Sequence, residues 1–163
     1  MRTKKVAVMG LAVALALILS FVESQIPSFV AIPGVKMGLA NIAVVFVLYK
    51  LGWREAALIS LLRVLLVSLL FGNFASLFYS VAGAVLSLLG MLALRKTGLF
   101  SEIAVSVVGG VLHNVGQIAM ACLLLGTNAI GYYLPFLVLS GTLAGVVIGL
   151  LAGILVKRIR LEV

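Results

Sequence analysis

IAVSVVGGVLHNVGQIAMACLLL, residues 103–125, decides the fold. The run carries no charged side chain and is near the ~20 residues that an α-helix needs to cross ~30 Å of hydrocarbon. It is one of six apolar runs, over residues 6–22, 37–50, 55–71, 74–94, 103–125 and 130–156, each bounded by charge, Pro/Gly or Asn. The second is short. At ~1.5 Å per residue it covers only ~21 Å, so its helix either begins further back, within residues 26–35, or meets a thinned bilayer. With 64% hydrophobic and 10% charged residues and a mean hydropathy of +1.36, a soluble domain of this size would precipitate. The expected fold is an all-α integral membrane protein: a single domain over residues 1–163, built as a bundle of six transmembrane helices.

Within the opening stretch, His113 and Gln117 stand one turn apart on one helix face, beside Asn114, while Gly109, Gly110 and Gly116 let a neighbouring backbone or a ligand come close. A lone histidine is commonly a packing residue. Here it accompanies two amides in a chain with very few interior polar groups, which points to binding. The following run holds Gly141, Gly145, Gly149 and Gly153 at a strict four-residue period, a signal for tight helix packing. In the preceding run Asn73, Ser76, Ser80, Gly83, Ser87 and Gly90 recur at three- and four-residue intervals, so a small and polar stripe is expected to face the bundle interior. Tyr79 reads either as an interfacial anchor or as a stacking surface for a planar ligand.

Arg63 lies near the middle of the third run. A cation at that depth costs at least ~2.5–3.5 kcal/mol on insertion scales, so it should face the interior and have a partner. Three partners are open: Glu23 reaching down, backbone carbonyls with water, or a counter-ion brought by a substrate. Between runs one and two, IPGVKMGLAN (residues 32–41) is a specified bend at the mouth of a helix, with Lys36 and Asn41 on the first turns, where the helix dipole favours an anion. The same residues also describe an ordinary interhelical turn with a snorkelling lysine. The connection over residues 26–36 is apolar for a loop and is expected to fold onto the bundle as a lid. In the first run Ala12, Ala16 and Ser20 form a small-residue ridge, for packing within the bundle or for docking a separate membrane partner.

A formal charge of +8 raises the possibility of nucleic acid, but the distribution of cations argues against it. Ten of the twelve, Arg2, Lys4, Lys5, Lys50, Arg54, Arg95, Lys96, Lys157, Arg158 and Arg160, fall in segments that share one side if six helices alternate. That is the positive-inside pattern with both termini cytoplasmic. The basic start before residues 6–22 lacks a convincing small-residue cleavage site and is read as the first span. Cys122 alone supports neither a disulfide nor a metal site. The chain has no P-loop, no Asp and four scattered Glu, too few to hold Mg²⁺ on a diphosphate, and no nucleophile–base–acid set. No enzyme activity, cofactor or metal is expected.

Pro33-Gly34-Val35-Lys36-Met37-Gly38-Leu39-Ala40-Asn41, Arg63, Tyr79-Ser80 and Gly110-Val111-Leu112-His113-Asn114-Val115-Gly116-Gln117 together resemble the bacterial Gx transporter family, often labelled heptaprenyl diphosphate synthase component I. That family in turn looks like the substrate-capturing S components of energy-coupling factor (ECF) transporters, six-helix proteins of similar length. The resemblance implies a multi-pass protein of the bacterial plasma membrane with a pocket near the external surface, capped by the loop between helices one and two. It also implies that Ala12 and Ala16 dock on a transmembrane coupling subunit powered by two cytoplasmic ATPases. The expected ligand is a small polar or anionic nutrient, or a vitamin or cofactor precursor. Lys36, Arg63 and His113 would meet its polar end, while Asn41, Tyr79, Asn114 and Gln117 would orient it. Two other readings stand beside this one: a membrane accessory of isoprenoid or quinone synthesis, and a ligand-free scaffold held in a complex by the glycine ridge of the last helix. The synthase label finds no support in aspartate-rich diphosphate motifs, because the chain has no Asp.

Overall fold

The computed structural model describes residues 2–25 and 38–159. Among these residues the protein is entirely helical: α1 (Arg2–Gln25), α2 (Asn41–Lys50), α3 (Trp53–Phe71), α4 (Phe74–Thr97), α5 (Glu102–Leu125), a short 3₁₀ turn (Ala129–Tyr133) and α6 (Leu134–Arg158). Each of the six apolar runs becomes one α-helix. Four helical stretches, Thr3–Gln25, Phe74–Thr97, Glu102–Leu125 and Ala129–Arg158, are long and apolar enough to cross a membrane. The expectation of six crossing helices is therefore met by length and composition in four. The third helix is 19 residues long but carries Arg54, Glu55 and Arg63. The second has only 10 residues, about 15 Å at 1.5 Å per residue.

That second helix begins no earlier than Asn41. Gly38 ahead of it has φ +86°, a left-handed conformation that favours glycine, and a turn through Leu39 and Ala40 leads into the helix. From Asn41 to Leu48 every residue of α2 is buried. A helix apolar on all sides belongs in a protein interior, and α2 is enclosed by α1, α3 and α6. Its short length is thus that of a buried plug. The bend at Pro33-Gly34 and the expected lid over residues 26–35 lie outside the described residues.

The remaining helices close around this centre, α3 joining α4 and α5 packing most extensively against α4 and α6. Glycine brings those three together. A Cβ added at Gly145 would lie 2.6 Å from the Val107 Cα, one at Gly149 2.6 Å from the Ile103 Cα, and one at Gly110 2.6 Å from the Gly141 carbonyl oxygen. Such separations are closer than real Cβ contacts allow, so the period in α6 sets backbone-to-backbone packing on α5. The outward surfaces are apolar, with Leu11, Ile18, Leu61, Leu69, Leu89, Leu139, Leu143 and Ile154 all exposed.

One end of the bundle is tied by polar contacts. Lys5 pairs with Glu55, the Arg95 guanidinium lies 5.2 Å from the Tyr49 ring centroid and that of Arg54 5.5 Å from Trp53. At the other end Asn73 and Ser76, which the sequence pattern placed on an inward stripe of α4, form a capping box. The Ser76 N–H donates to Asn73 Oδ1 at 2.8 Å and the Asn73 N–H to Ser76 Oγ at 3.0 Å. Asn73 is exposed, while Ser76 is buried and opens the inward face of α4, which continues through Tyr79, Gly83 and Ser87.

Candidate functional site

The interior polar residues come from separate helices and converge because each helix repeats its inward positions at three- and four-residue spacing. On α3 those positions are Ala56, Ile59, Ser60, Arg63, Val64, Val67 and Ser68. On α1 they are Ala12, Ala16, Ser20 and Glu23, so the small-residue ridge leads to a carboxylate. On α5 they include His113, Asn114 and Gln117. Arg63, His113 and Gln117 are 7%, 4% and 1% exposed, and Glu23 is 6% exposed.

These residues enclose one cavity, lined by Ser20, Glu23, Gly38, Arg63, Val64, Val67, Ser80, His113 and Gln117. It lies just beyond the start of α2, as its lining by Gly38 shows. The space is small. Its volume is about 20 Å³, room for a single water. Glu23 ties two walls together by accepting a hydrogen bond from the Gly38 N–H at 2.5 Å, and its negative charge acts on the Arg63 guanidinium. The His113 imidazole lies against the backbone of Gly83. Its Nδ1 and the Arg63 Nε are buried with no hydrogen-bond partner among the described residues. A buried donor or acceptor left unmade costs about 1–3 kcal/mol, so these two atoms call for a partner, and the cavity has room for one water.

The histidine reaches this position because α4 has no side chain at Gly83. A Cβ there would sit 2.7 Å from the His113 carbonyl oxygen and 3.1 Å from its ring Cε1. The glycines of α4 and α5 thus serve helix contact, and through it the placement of the ring.

Of the nine residues singled out in the sequence, the structure brings Arg63, His113 and Gln117 into one cavity. Asn114 is buried beside them but turns to α6, where its Nδ2 donates to the Leu137 carbonyl at 2.7 Å. Tyr79 is buried and does not line the cavity, whereas its neighbour Ser80 does. Asn41 is buried at the first turn of α2, with its backbone N–H donating to the Gly38 carbonyl at 2.8 Å. Lys36 lies outside the described residues. Ala12 and Ala16 are 5% and 0% exposed and pack inside the bundle, while Val6, Leu11, Leu15 and Ile18 form the outer face of α1. Sequence reasoning treated Glu23 only as one possible partner of Arg63. Its spacing of three from Ser20, continuing the Ala12–Ala16–Ser20 ridge, is the signal that placed it inward.

Apolar outer surfaces, four helices of membrane-crossing length and an interior cluster of ionisable residues define a multi-pass helical membrane protein with a polar cavity. The family model described as heptaprenyl diphosphate synthase component I matches residues 12–155, and the chain belongs to that family. Neither the curated proteins nor the solved structures contain a match to it.

Proposed function

We propose that this protein is the substrate-binding subunit of an ECF-type transporter, taking up a small polar or anionic nutrient, or a vitamin or cofactor precursor, at the bacterial plasma membrane. In this reading all six helices form the membrane domain, α2 and α3 included, and both termini face the cytoplasm, in keeping with the basic residues at that end. A transmembrane coupling subunit and two cytoplasmic ATPases drive release, and the chain itself catalyses nothing. The observation that carries the reading is the meeting of Arg63, His113 and Gln117 from α3 and α5 in one buried cavity. Ionisable residues inside a membrane bundle are expensive and mark ligand or ion paths by default.

At about 20 Å³ the cavity is small, and pockets for small molecules run to ~300 Å³ and more. Binding therefore includes a widening, and release reverses it. Docking through Ala12 and Ala16 would require α1 to turn its buried face outward, or the partner to meet the adjoining Leu11, Leu15 and Ile18 surface.

The test is thermal unfolding of the purified protein with a panel of vitamins, flavins, quinone precursors and prenyl diphosphates. One nutrient class should raise Tm, and Arg63→Ala or His113→Ala should abolish the rise. Binding that survives both substitutions would place the ligand elsewhere.

The family description favours a second reading, in which the protein is an accessory of prenyl diphosphate synthesis that holds a diphosphate or a polyprenyl tail beside a soluble enzyme. A Tm rise with prenyl diphosphates alone would select it. Against it stands the chain's want of Asp and of clustered carboxylates for the Mg²⁺ that accompanies a diphosphate.

A further inference from the structure

The outer face of α3 changes character along its length. Trp53 and Arg54 open the helix, both exposed, and Leu58, Leu61, Leu65 and Leu69 follow Arg54 at steps of four, three, four and four residues, all exposed as well. Such steps keep side chains on one side of an α-helix. One strip therefore carries a cation and an indole at its start and leucines along the rest, while the buried Arg63 lies on the opposite side. The level of the charged end is set by α1. Lys5 pairs with Glu55, and Lys5 lies near the start of Thr3–Gln25, a stretch long and apolar enough to cross a membrane. Trp53 and Arg54 thus stand where the apolar surface begins, at the depth of lipid headgroups, where tryptophan and basic side chains concentrate.

The polar chemistry of this corner suits a phosphate. Glu55, the carboxylate next to Arg54 in the chain, is paired with Lys5. The Arg54 guanidinium lies 5.5 Å from the Trp53 ring centroid, a stacked position that leaves its donors at the edge of the plane for an anion. Lys50 stands across a two-residue connection, Leu51-Gly52, whose tight turn rests on the φ of +123° at Gly52. Guanidinium and ammonium groups both bind phosphate, the former through two parallel hydrogen bonds. A soluble anion would use the cations and leave the leucines bare. A molecule charged at one end and apolar beyond it uses both, and Arg54 to Leu65 covers about 17 Å at 1.5 Å per residue, close to half of the ~30 Å hydrocarbon core.

We propose that the α2–α3 corner is a seat for an anionic phospholipid of the leaflet at the basic end, with Lys50, Trp53 and Arg54 on its headgroup and its acyl chains along Leu58, Leu61 and Leu65. The seat stands whether or not the cavity takes a nutrient.

Trp53 is the single tryptophan of the chain, so its fluorescence reports this corner alone. The full chain is reconstituted in bilayers that mix phosphatidylglycerol with phosphatidylcholine, one or the other carrying brominated acyl chains, and quenching of Trp53 gives the relative affinity of the two lipids beside the ring. Wild type should prefer phosphatidylglycerol by roughly fivefold or more, fivefold being about the effect of one cation at a membrane surface. K50Q/R54Q should bring the ratio close to one, and R54Q, altered at an exposed position, should fall between. R158Q, at the end of α6, should keep the wild-type ratio. Equal quenching by the two lipids in the wild type, a wild-type ratio in R54Q, or an equal loss in R158Q overturns the proposal. Weak quenching by both lipids would mean that protein covers the strip, and a preference erased by millimolar inorganic phosphate would assign the corner to a soluble anion. Either result also overturns it.

Discussion

At the residue scale the molecule turns on positions where a side chain would be one atom too many. Gly83 is the clearest, since a Cβ there meets both the backbone and the ring of His113. Gly83→Ala is expected to push α5 from α4 and shift the imidazole, lowering Tm by several degrees and removing ligand stabilisation, as overpacking of a tight contact costs about 1–3 kcal/mol. Gly10→Ala is the matched control: nothing lies within 4 Å of its added Cβ, so Tm should be unchanged or slightly raised by alanine's helix preference, and binding unchanged. Equal effects of the two substitutions would mean that the Gly83 contact does not position the ring. Residue identity made Arg63 and His113 conspicuous in the sequence, because ionisable side chains are rare in apolar runs. Their convergence follows from helix periodicity. The same periodicity sends Asn114, adjacent to His113, about 100° around the helix toward α6, so it became a helix-to-helix tie. Tyr79 and Ser80 part in the same way, and no local signal in the sequence says which of two neighbours faces a cavity.

At the scale of the element, α6 shows how far a short-period pattern can be trusted. Its glycines read as a packing ridge, and Gly141, Gly145 and Gly149 do meet the α5 backbone within 3 Å of an added Cβ, or its Asn114 side chain in the case of Gly141. Gly153 does not, its nearest neighbour being the Glu102 Cβ at 3.9 Å. Gly145→Val should therefore lower Tm sharply, while Gly153→Ala should leave it unchanged or raise it, given the ~1 kcal/mol helix preference for alanine. A uniform response along the ridge would contradict this packing. Because the ridge is spent on α5, it is not free to hold a partner, which weakens the scaffold reading. At the start of α4, Asn73→Ala removes a capping box worth about 1 kcal/mol and should lower Tm by roughly 2–4 °C. Here the sequence pattern held for Ser76, which is buried as well as capping, and failed for Asn73, which is exposed at the helix start. A capping pair and an interior pair three residues apart look alike until the helix start is known. The six helices themselves were legible from hydropathy. What hydropathy did not separate is a helix that crosses the bilayer from one buried on every side, because both are uniformly apolar.

For the whole molecule, the proposed topology makes a prediction of its own. In a Cys122→Ser background, cysteine placed at Leu99, between α4 and α5, should react with a membrane-impermeant maleimide only after the membrane is permeabilised from the cytoplasmic side. Cysteine at Asn128, between α5 and the 3₁₀ turn, should react from outside. The reverse pattern would invert the protein and close the cavity to external nutrients.

The enclosure of α2 also bears on how the chain is made. Ten residues are too short to rest across a bilayer, and two of the three helices around them, α3 and α6, are synthesised afterwards. When α2 leaves the ribosome its wall is incomplete, and it stays so until α6, the last helix of the described chain, has been inserted. Every residue that lines the cavity precedes α6, so a nascent chain stalled before α6 holds the whole lining of the site while α2 beside it still lacks one of its covering helices.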